Sequence, residues 1–463
     1  MNRGGERVHR TWANSDRYIP RRFVSPVTAF MQAEAGSGVV MLAAAVAALV
    51  WANSPIADSY FEILETHLSV NLGSFEFDES VLHLINDGLM AIFFFVVGLE
   101  IKRELVLGEF RDPKSATLPI VAALGGMAVP AIIYALVVGP GGQGLEGWAV
   151  PMATDIAFSV GVLSLLGRRV PPGVKLFLLA LAIADDVGGI LVIAVFFTAE
   201  LSFGHLAAAV AGLGMVWVAT RIGIRSHAIY VPLAVVIWFL VLESGVHATL
   251  AGVALGLLTP AEPLYPIQEL KHRARVILEA YPEATSTLHE RRSADFDSLE
   301  LSDLARESAA PLARVEHRLV LWSSYLVVPL FALANAGVRF EGSILDSLSS
   351  RVALGVALGL IFGKIIGITG MTWLAVRSGL GRLPAGAGWR HVVGVSATAG
   401  IGFTVALFIT ALAFSDQMLA DQAKVGIFAG SIVAGVLGTM ILRSMRPGPV
   451  ARPATSGEEV AAK

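Results

Sequence analysis

The chain has no cysteine among its 463 residues, so a disulfide framework and a thiolate metal site are both excluded. Charge is scarce as well. Only 15% of residues are Asp, Glu, Lys or Arg, against about 25% in a typical soluble domain. The formal net charge is −3, with no basic stripe, which argues against nucleic acid as a partner. No cofactor is expected. The first 27 residues are arginine-rich and polar and lack the apolar core of a signal peptide, so they read as a cytoplasmic leader.

What the chain has instead is apolar length. Hydrophobic residues make up 55%, and the mean hydropathy is +0.69. Apolar stretches near the ~20 residues that cross a bilayer recur along the chain. They fall at 38–52, 81–99, 116–138, 149–166, 176–197, 206–220, 228–242, 246–259, 320–337, 352–376, 391–413 and 425–442. The expected fold is an all-α polytopic membrane protein of about twelve transmembrane helices, with no soluble catalytic domain attached. Loops rich in Lys and Arg stay in the cytoplasm. With the amino terminus inside, 30 of the 34 Lys and Arg residues lie on that side, and three (Arg339, Arg351, Lys424) lie outside. The remaining one, Lys364, is inside a span. Both termini are therefore expected in the cytoplasm of a bacterial inner membrane.

The membrane domain is expected over 28–442, followed by a disordered cytoplasmic tail at 443–463. In the outer loop 53–80, Val70, Leu72, Phe75 and Phe77 alternate around Gly73-Ser74, which is a hairpin signal. An exposed hairpin edge can pair with a copy of itself, so a homodimer through this loop is expected. The long inside segment 260–318 reads as two amphipathic helices, LKHRARVILEAY and SDLARESAAPLARVEHRLV, joined by a polar linker.

Four charges stand where a bilayer should exclude them. In LAIADDVGGI, Asp185 and Asp186 are the ninth and tenth of 21 residues in the run Phe177–Phe197. Lys364 is the thirteenth of 24 residues from Val352 to Ala375, and Asp155 lies in PMATDIAFSVG. A charge at the centre of a membrane helix costs about 2.5–3.5 kcal/mol on insertion scales, so these residues face protein or water. Three acids sharing one base leave an interior charge of −2, which invites cations. Adjacent helix residues point about 100° apart, so one carboxylate can meet a neighbouring helix while the other faces an aqueous funnel. Gly188-Gly189 allows close helix approach or local unwinding. Carboxylates are hard oxygen ligands for small hard cations, and burial brings their protonation towards neutral pH. A seat that holds either protons or a cation is an exchanger. Polar breaks in the fourth span (PMATDIAF) and the eleventh (SATAGIGFTVALF) are the interrupted helices that mark a transporter site.

Together MATDIAFSVGVLSLLG, LAIADDVGGI, FFFVVGLEIKREL, FALANAG, FGKIIG and GIGFTVALF resemble the NhaA-type sodium/proton antiporters, in order and over nearly all of 30–442. The resemblance implies inverted-topology repeats, of which this family is a known example, with spans 4 and 11 discontinuous and crossing. It implies that Asp186 is the direct ligand of Na⁺ or Li⁺ and that Asp185 is a second proton-linked acid. Lys364 then pairs with Asp185 when no ion is bound. Thr154 helps hold the ion, and Asp155 offsets helix-end charge. Asp87 matches a further acid of the second span, where a plain surface carboxylate is the alternative. Glu100, Arg103 and Glu104 in GLEIKREL, Glu316 and His317 in RVEHRLV, and His247 match residues of a pH-responsive entrance funnel. The chain departs from the family pattern at Val320, where some relatives carry histidine, and in the length of 260–318.

An intramembrane aspartyl protease is the rival from another class. Its two acids sit on different helices in a GxGD setting that is absent here. A channel would need rings of repeated filter residues, which are also absent. A same-fold antiporter for K⁺ is the nearer alternative. The expected partners are therefore Na⁺ or Li⁺, protons and the lipid bilayer.

Overall fold

The structure is a computed structural model that describes residues 36–445 apart from 73–74, 199–200, 282–286 and 341–343. The leader and nearly all of the tail lie outside the described residues, as does the Gly73-Ser74 turn.

Helices cover all twelve expected spans. Eight are long and apolar enough to cross a membrane: Val81–Val106, Pro113–Val138, Leu145–Leu166, Pro172–Phe196, Phe203–Arg221, Pro311–Asn335, Arg351–Arg377 and Gln417–Arg443. Two more are bent pairs, Gly36–Ala52 with Ala57–Glu65 at 111°, and Trp389–Thr398 with Phe403–Ala413 at 49°. The last two, His227–Glu243 and Thr249–Leu258, are short. The chain is an all-α polytopic membrane protein. Large apolar side chains such as Leu136, Leu165 and Phe203 face outward, as lipid requires, while the interior is built from small residues and a few polar ones.

Local chemistry sets the boundaries. Asp112 caps the third span through the Lys114 N–H (3.3 Å) and the Ser115 hydroxyl (3.0 Å), and Pro113 follows at the first helical position. Those bonds hold the Asp112 carboxyl below the ordinary range. The third and tenth spans meet backbone to backbone, because a Cβ on Gly367 would overlap the Gly125 carbonyl. Gly363 closes similarly on Pro130, and Gly359 on Pro151. These small residues let the tenth span present Lys364 to the interior.

Spans 3–5 and 10–12 share one plan: a long helix, a broken helix and a long helix. Corresponding spans are seven apart in the chain, an odd number, so they run in opposite directions. This is an inverted repeat.

Three expectations need correction. The outer loop contains a helix, Ala57–Glu65, as well as the hairpin. Its Tyr60 is buried and donates to the Leu333 and Ala334 carbonyls (2.8 Å each) at the end of the ninth span. In the hairpin, His67–Leu72 (β1) and Phe75–Ser80 (β2) pair antiparallel, with Val70 opposite Phe77 and Leu72 opposite Phe75. Second, the inside segment divides differently. Its helices are Ile267–Ala280 and Leu288–Glu307, and the residues read as the second helix straddle a break at 308–310. Third, Pro311 starts the ninth span, nine residues earlier than the apolar run, because proline suits a first helical turn and the polar face of that turn packs on protein. Of the two readings of Gly188-Gly189, close helix approach holds, and the fifth span stays helical there. Gly188 packs on Met127, whose thioether a Cβ would overlap, whereas Gly189 meets open space.

Candidate functional site

The two broken spans cross at their breaks. In the fourth, a 3₁₀ helix Leu145–Met152 gives way to extended residues before Ile156–Leu166 begins. In the eleventh, residues 399–402 separate Trp389–Thr398 from Phe403–Ala413. Each break frees backbone groups that lipid cannot satisfy, and each satisfies the other's. The Asp155 N–H donates to the Ile401 carbonyl (2.6 Å), the Thr154 hydroxyl to Ala399 O (2.9 Å), and the Ser159 hydroxyl to Thr398 O (2.9 Å).

Asp155 serves two helix amino ends at once. One carboxylate oxygen accepts the Phe158 N–H (3.1 Å), and the other accepts the Thr404 N–H (3.1 Å) and the Thr404 hydroxyl. Its negative charge is thereby spent on the partial positive charge of two helix starts. Thr404 went unnoticed in the sequence, since a threonine in an apolar helix is ordinary.

Lys364 lies beside the crossing with a fully buried side chain, 0% exposed. Its ammonium has three donors and three acceptors: Asp185 Oδ2 (2.9 Å), Thr154 Oγ1 (2.9 Å) and the Met152 carbonyl. The cation therefore joins the tenth, fourth and fifth spans. The other Asp185 oxygen is buried without a hydrogen-bond partner.

Asp186 differs. It is 8% exposed and makes no hydrogen bond among the described residues. Both carboxylates line a narrow cavity of about 10 Å³, near the smallest space that holds one water. The remaining wall is apolar, including Phe94, Met127, Ile190, Val405 and Ile409. Ile190 and Ile193 follow the acids along the fifth span, and Val405 and Ile409 follow the break of the eleventh. The cavity thus runs from the acids towards the bundle end that bears the 139–144 loop. An unpaired carboxylate facing such a space suits a small hard cation or a proton.

The sequence comparison agrees with this geometry. The sequence model of the Na+/H+ antiporter 1 family matches residues 28–442. The chain belongs to that family. The Na(+)/H(+) antiporter NhaA of Koribacter versatilis is 45% identical over 419 residues, covering 90% of this chain and 91% of that one. The NhaA of an Anaeromyxobacter species is 47% identical over 425 residues, with 91% of each chain covered. Among solved structures, the sodium proton antiporter MjNhaP1 from Methanocaldococcus jannaschii covers 91% of this chain at 14% identity with a TM-score of 0.47, too remote to add to the argument. The antiporter is accordingly a secondary transporter, a multi-pass protein of a bacterial inner membrane.

A second cluster sits at the other end of the second span. Arg103 is bonded to Glu316 of the ninth span and lies 3.7 Å from Glu104, whose carboxylate also accepts the Glu109 N–H (3.0 Å). Glu100 stands one turn deeper on the same span. His317, expected in this cluster, and His247, expected only to bear on the pH response, lie elsewhere. His317 is exposed, rotated about 100° from Glu316. His247 lies 2.6 Å from the Phe197 carbonyl, at the far end of the fifth span. Asp87 is not a surface carboxylate: it is buried in a π-turn, Leu84–Leu89, and bonded to His83 (2.9 Å).

Proposed function

We propose that the antiporter exports cytoplasmic Na⁺ or Li⁺ in exchange for inward protons, using Asp185 and Asp186 as one shared seat. One observation carries this reading. Of two adjacent mid-membrane acids, one is tied to Lys364 while the other is unpaired and faces the cavity at the crossing of two broken helices. Family membership supports the ions exchanged.

In the ion-free cycle, Lys364 neutralises Asp185 and a proton neutralises Asp186. Na⁺ arriving at Asp186 displaces that proton and competes with Lys364 for Asp185. Thr154, freed from Lys364, supplies a further oxygen. Asp155 keeps the two helix starts together throughout. Alternating access then carries the loaded seat to the outside. The second proton leaves from Lys364 or from Asp185 when Na⁺ breaks their pair, so two protons move inward per Na⁺ and one net charge moves per cycle. A membrane potential would contribute about 2.3 kcal/mol per charge per 100 mV.

The Glu100, Arg103, Glu104 and Glu316 cluster supports a pH-responsive entrance on the cytoplasmic side, with His247 and His317 as peripheral contributors and Asp87 as an outer-end acid. The Lys and Arg bias supports cytoplasmic termini, with 1–27 as leader, 28–442 as the membrane domain and 443–463 as tail. The paired β1–β2 hairpin supports a homodimer through its free edge. Deleting 67–80 should turn a cross-linkable dimer into monomer, and an undiminished dimer yield would end that idea.

The transport reading is tested in acid-inside vesicles carrying a pH-sensitive dye. Na⁺ or Li⁺ added outside collapses the gradient in the wild type, while choline does not. Asp186→Asn abolishes the response and Asp185→Asn nearly does. K⁺ as the better substrate would favour the alternative antiporter, full exchange by Asp186→Asn would remove the site assignment, and electroneutral exchange under voltage clamp would remove the two-for-one ratio.

A further inference from the structure

At the break in the eleventh span, the Thr398, Ala399 and Ile401 carbonyls accept from the fourth span, and the Gly400 and Ile401 N–H groups bond within their own span. The Gly402 N–H, at the start of Phe403–Ala413, instead reaches the hydroxyl oxygen of Ser431 on the twelfth span (3.3 Å). Ser431 is 7% exposed, and its hydroxyl is bonded to nothing else among the described residues. The surrounding face of the twelfth span is small and smooth. Ala434 lies against Gly400, Gly435 against Ile401 and Gly438 against Thr398, close enough that a Cβ on Gly438 would overlap the Thr398 side chain. Such a surface lets the unwound segment approach closely but holds it at no particular register. Ser431 is the polar atom on that face that does.

We propose that Ser431 is a positioning residue of the antiport site. Its hydroxyl fixes the Gly402 N–H, and through it the placing of residues 399–402 against Thr154 and Asp155. It touches neither the ion nor the acid pair, and acts through the crossing. The inference rests on the reading that the crossing is the ion site. Without the hydroxyl, a buried N–H at a helix start is left unmade, and the crossing no longer holds Thr154 where Na⁺ needs it.

Purified full-length protein in vesicles tests this with Ser431→Ala, Ser431→Val and Ser431→Thr. Alanine is a better helix former than serine and smaller, so the span itself is not endangered. The alanine and valine variants should raise the apparent KM for Na⁺ roughly tenfold, the effect of one unmade buried hydrogen bond, with a maximal rate close to wild type. Their pH profile should move with KM. The threonine variant, which differs from valine by keeping the hydroxyl, should return both to within about twofold of wild type. A wild-type KM and pH profile in Ser431→Ala, even with a lowered melting temperature, would reduce Ser431 to ordinary packing and overturn the proposal. Threonine as impaired as valine would do the same. Asp186→Asn, measured alongside, separates the two readings: full exchange there defeats the site assignment whatever Ser431 does.

Discussion

Replacing Lys364 with methionine keeps all but the last atom of the side chain's length and removes its charge, so it isolates what the buried cation contributes. The ammonium is wholly buried and bonded to Asp185, Thr154 and the Met152 carbonyl. Removing one partner of a buried ion pair costs about 3–5 kcal/mol, because the other charge is left uncompensated. Thr154 keeps its bond to Ala399, so the further loss is the unmade bond at Met152 O, about 1 kcal/mol. The interesting case is the double variant. Adding Asp185→Asn to Lys364→Met removes the stranded carboxylate charge, leaving mainly unmade neutral hydrogen bonds at about 1–3 kcal/mol. The double variant should therefore be about 2 kcal/mol more stable than Lys364→Met alone, a rise on the order of a few degrees in melting temperature. Thermal melting in detergent is the assay. If the double variant melts below the single one, as independent effects would require, Lys364 and Asp185 are not the coupled pair described here.

Other perturbations read different parts of the molecule. Gly367→Ala drives a methyl group into the Gly125 carbonyl and should lower stability by roughly 1–3 kcal/mol or more. Gly370→Ala, on the same helix in open space, should be neutral or slightly stabilising, and a comparison of melting temperatures distinguishes them. Tyr60→Phe removes the hydroxyl bonded to Leu333 and Ala334 and should cost about 1–2 kcal/mol, with exchange kinetics unchanged. Asp155→Asn presents an amide to the Thr404 donors and should abolish exchange in the vesicle assay, whereas Thr404→Val should weaken it. Glu316→Gln removes the charge opposite Arg103 and should shift the pH profile of exchange; the same substitution at exposed Glu279 should leave it in place.

The parts of this site that could be read from sequence were those where a residue contradicts its surroundings. Asp185, Asp186 and Lys364 are conspicuous because a bilayer penalises their charge, and Asp155 because it interrupts a span. Thr404 and Ser431 carry comparable geometric weight at the crossing, yet hydroxyl residues are common in membrane helices and nothing local distinguishes these two. Histidines misled for a related reason. The resemblance groups His317 with Glu316, but a helix turns adjacent residues apart, and His317 is exposed where Glu316 is buried. The inside segment was divided wrongly because polarity was followed where Pro311, a helix-start residue, held the boundary. Ala57–Glu65 escaped notice because nine residues of mixed polarity signal little until Tyr60 is seen buried against the ninth span.

Proton release on sodium binding addresses the shared seat itself. Purified protein in weakly buffered detergent solution is titrated with NaCl while pH is followed. Wild type should release protons in step with Na⁺ binding, choline chloride should release none, and Asp186→Asn should be silent to both. Sodium bound at the wild-type level with no proton appearing in solution would mean that the two ions do not compete for these acids, and the exchange mechanism would have to be sought elsewhere in the bundle.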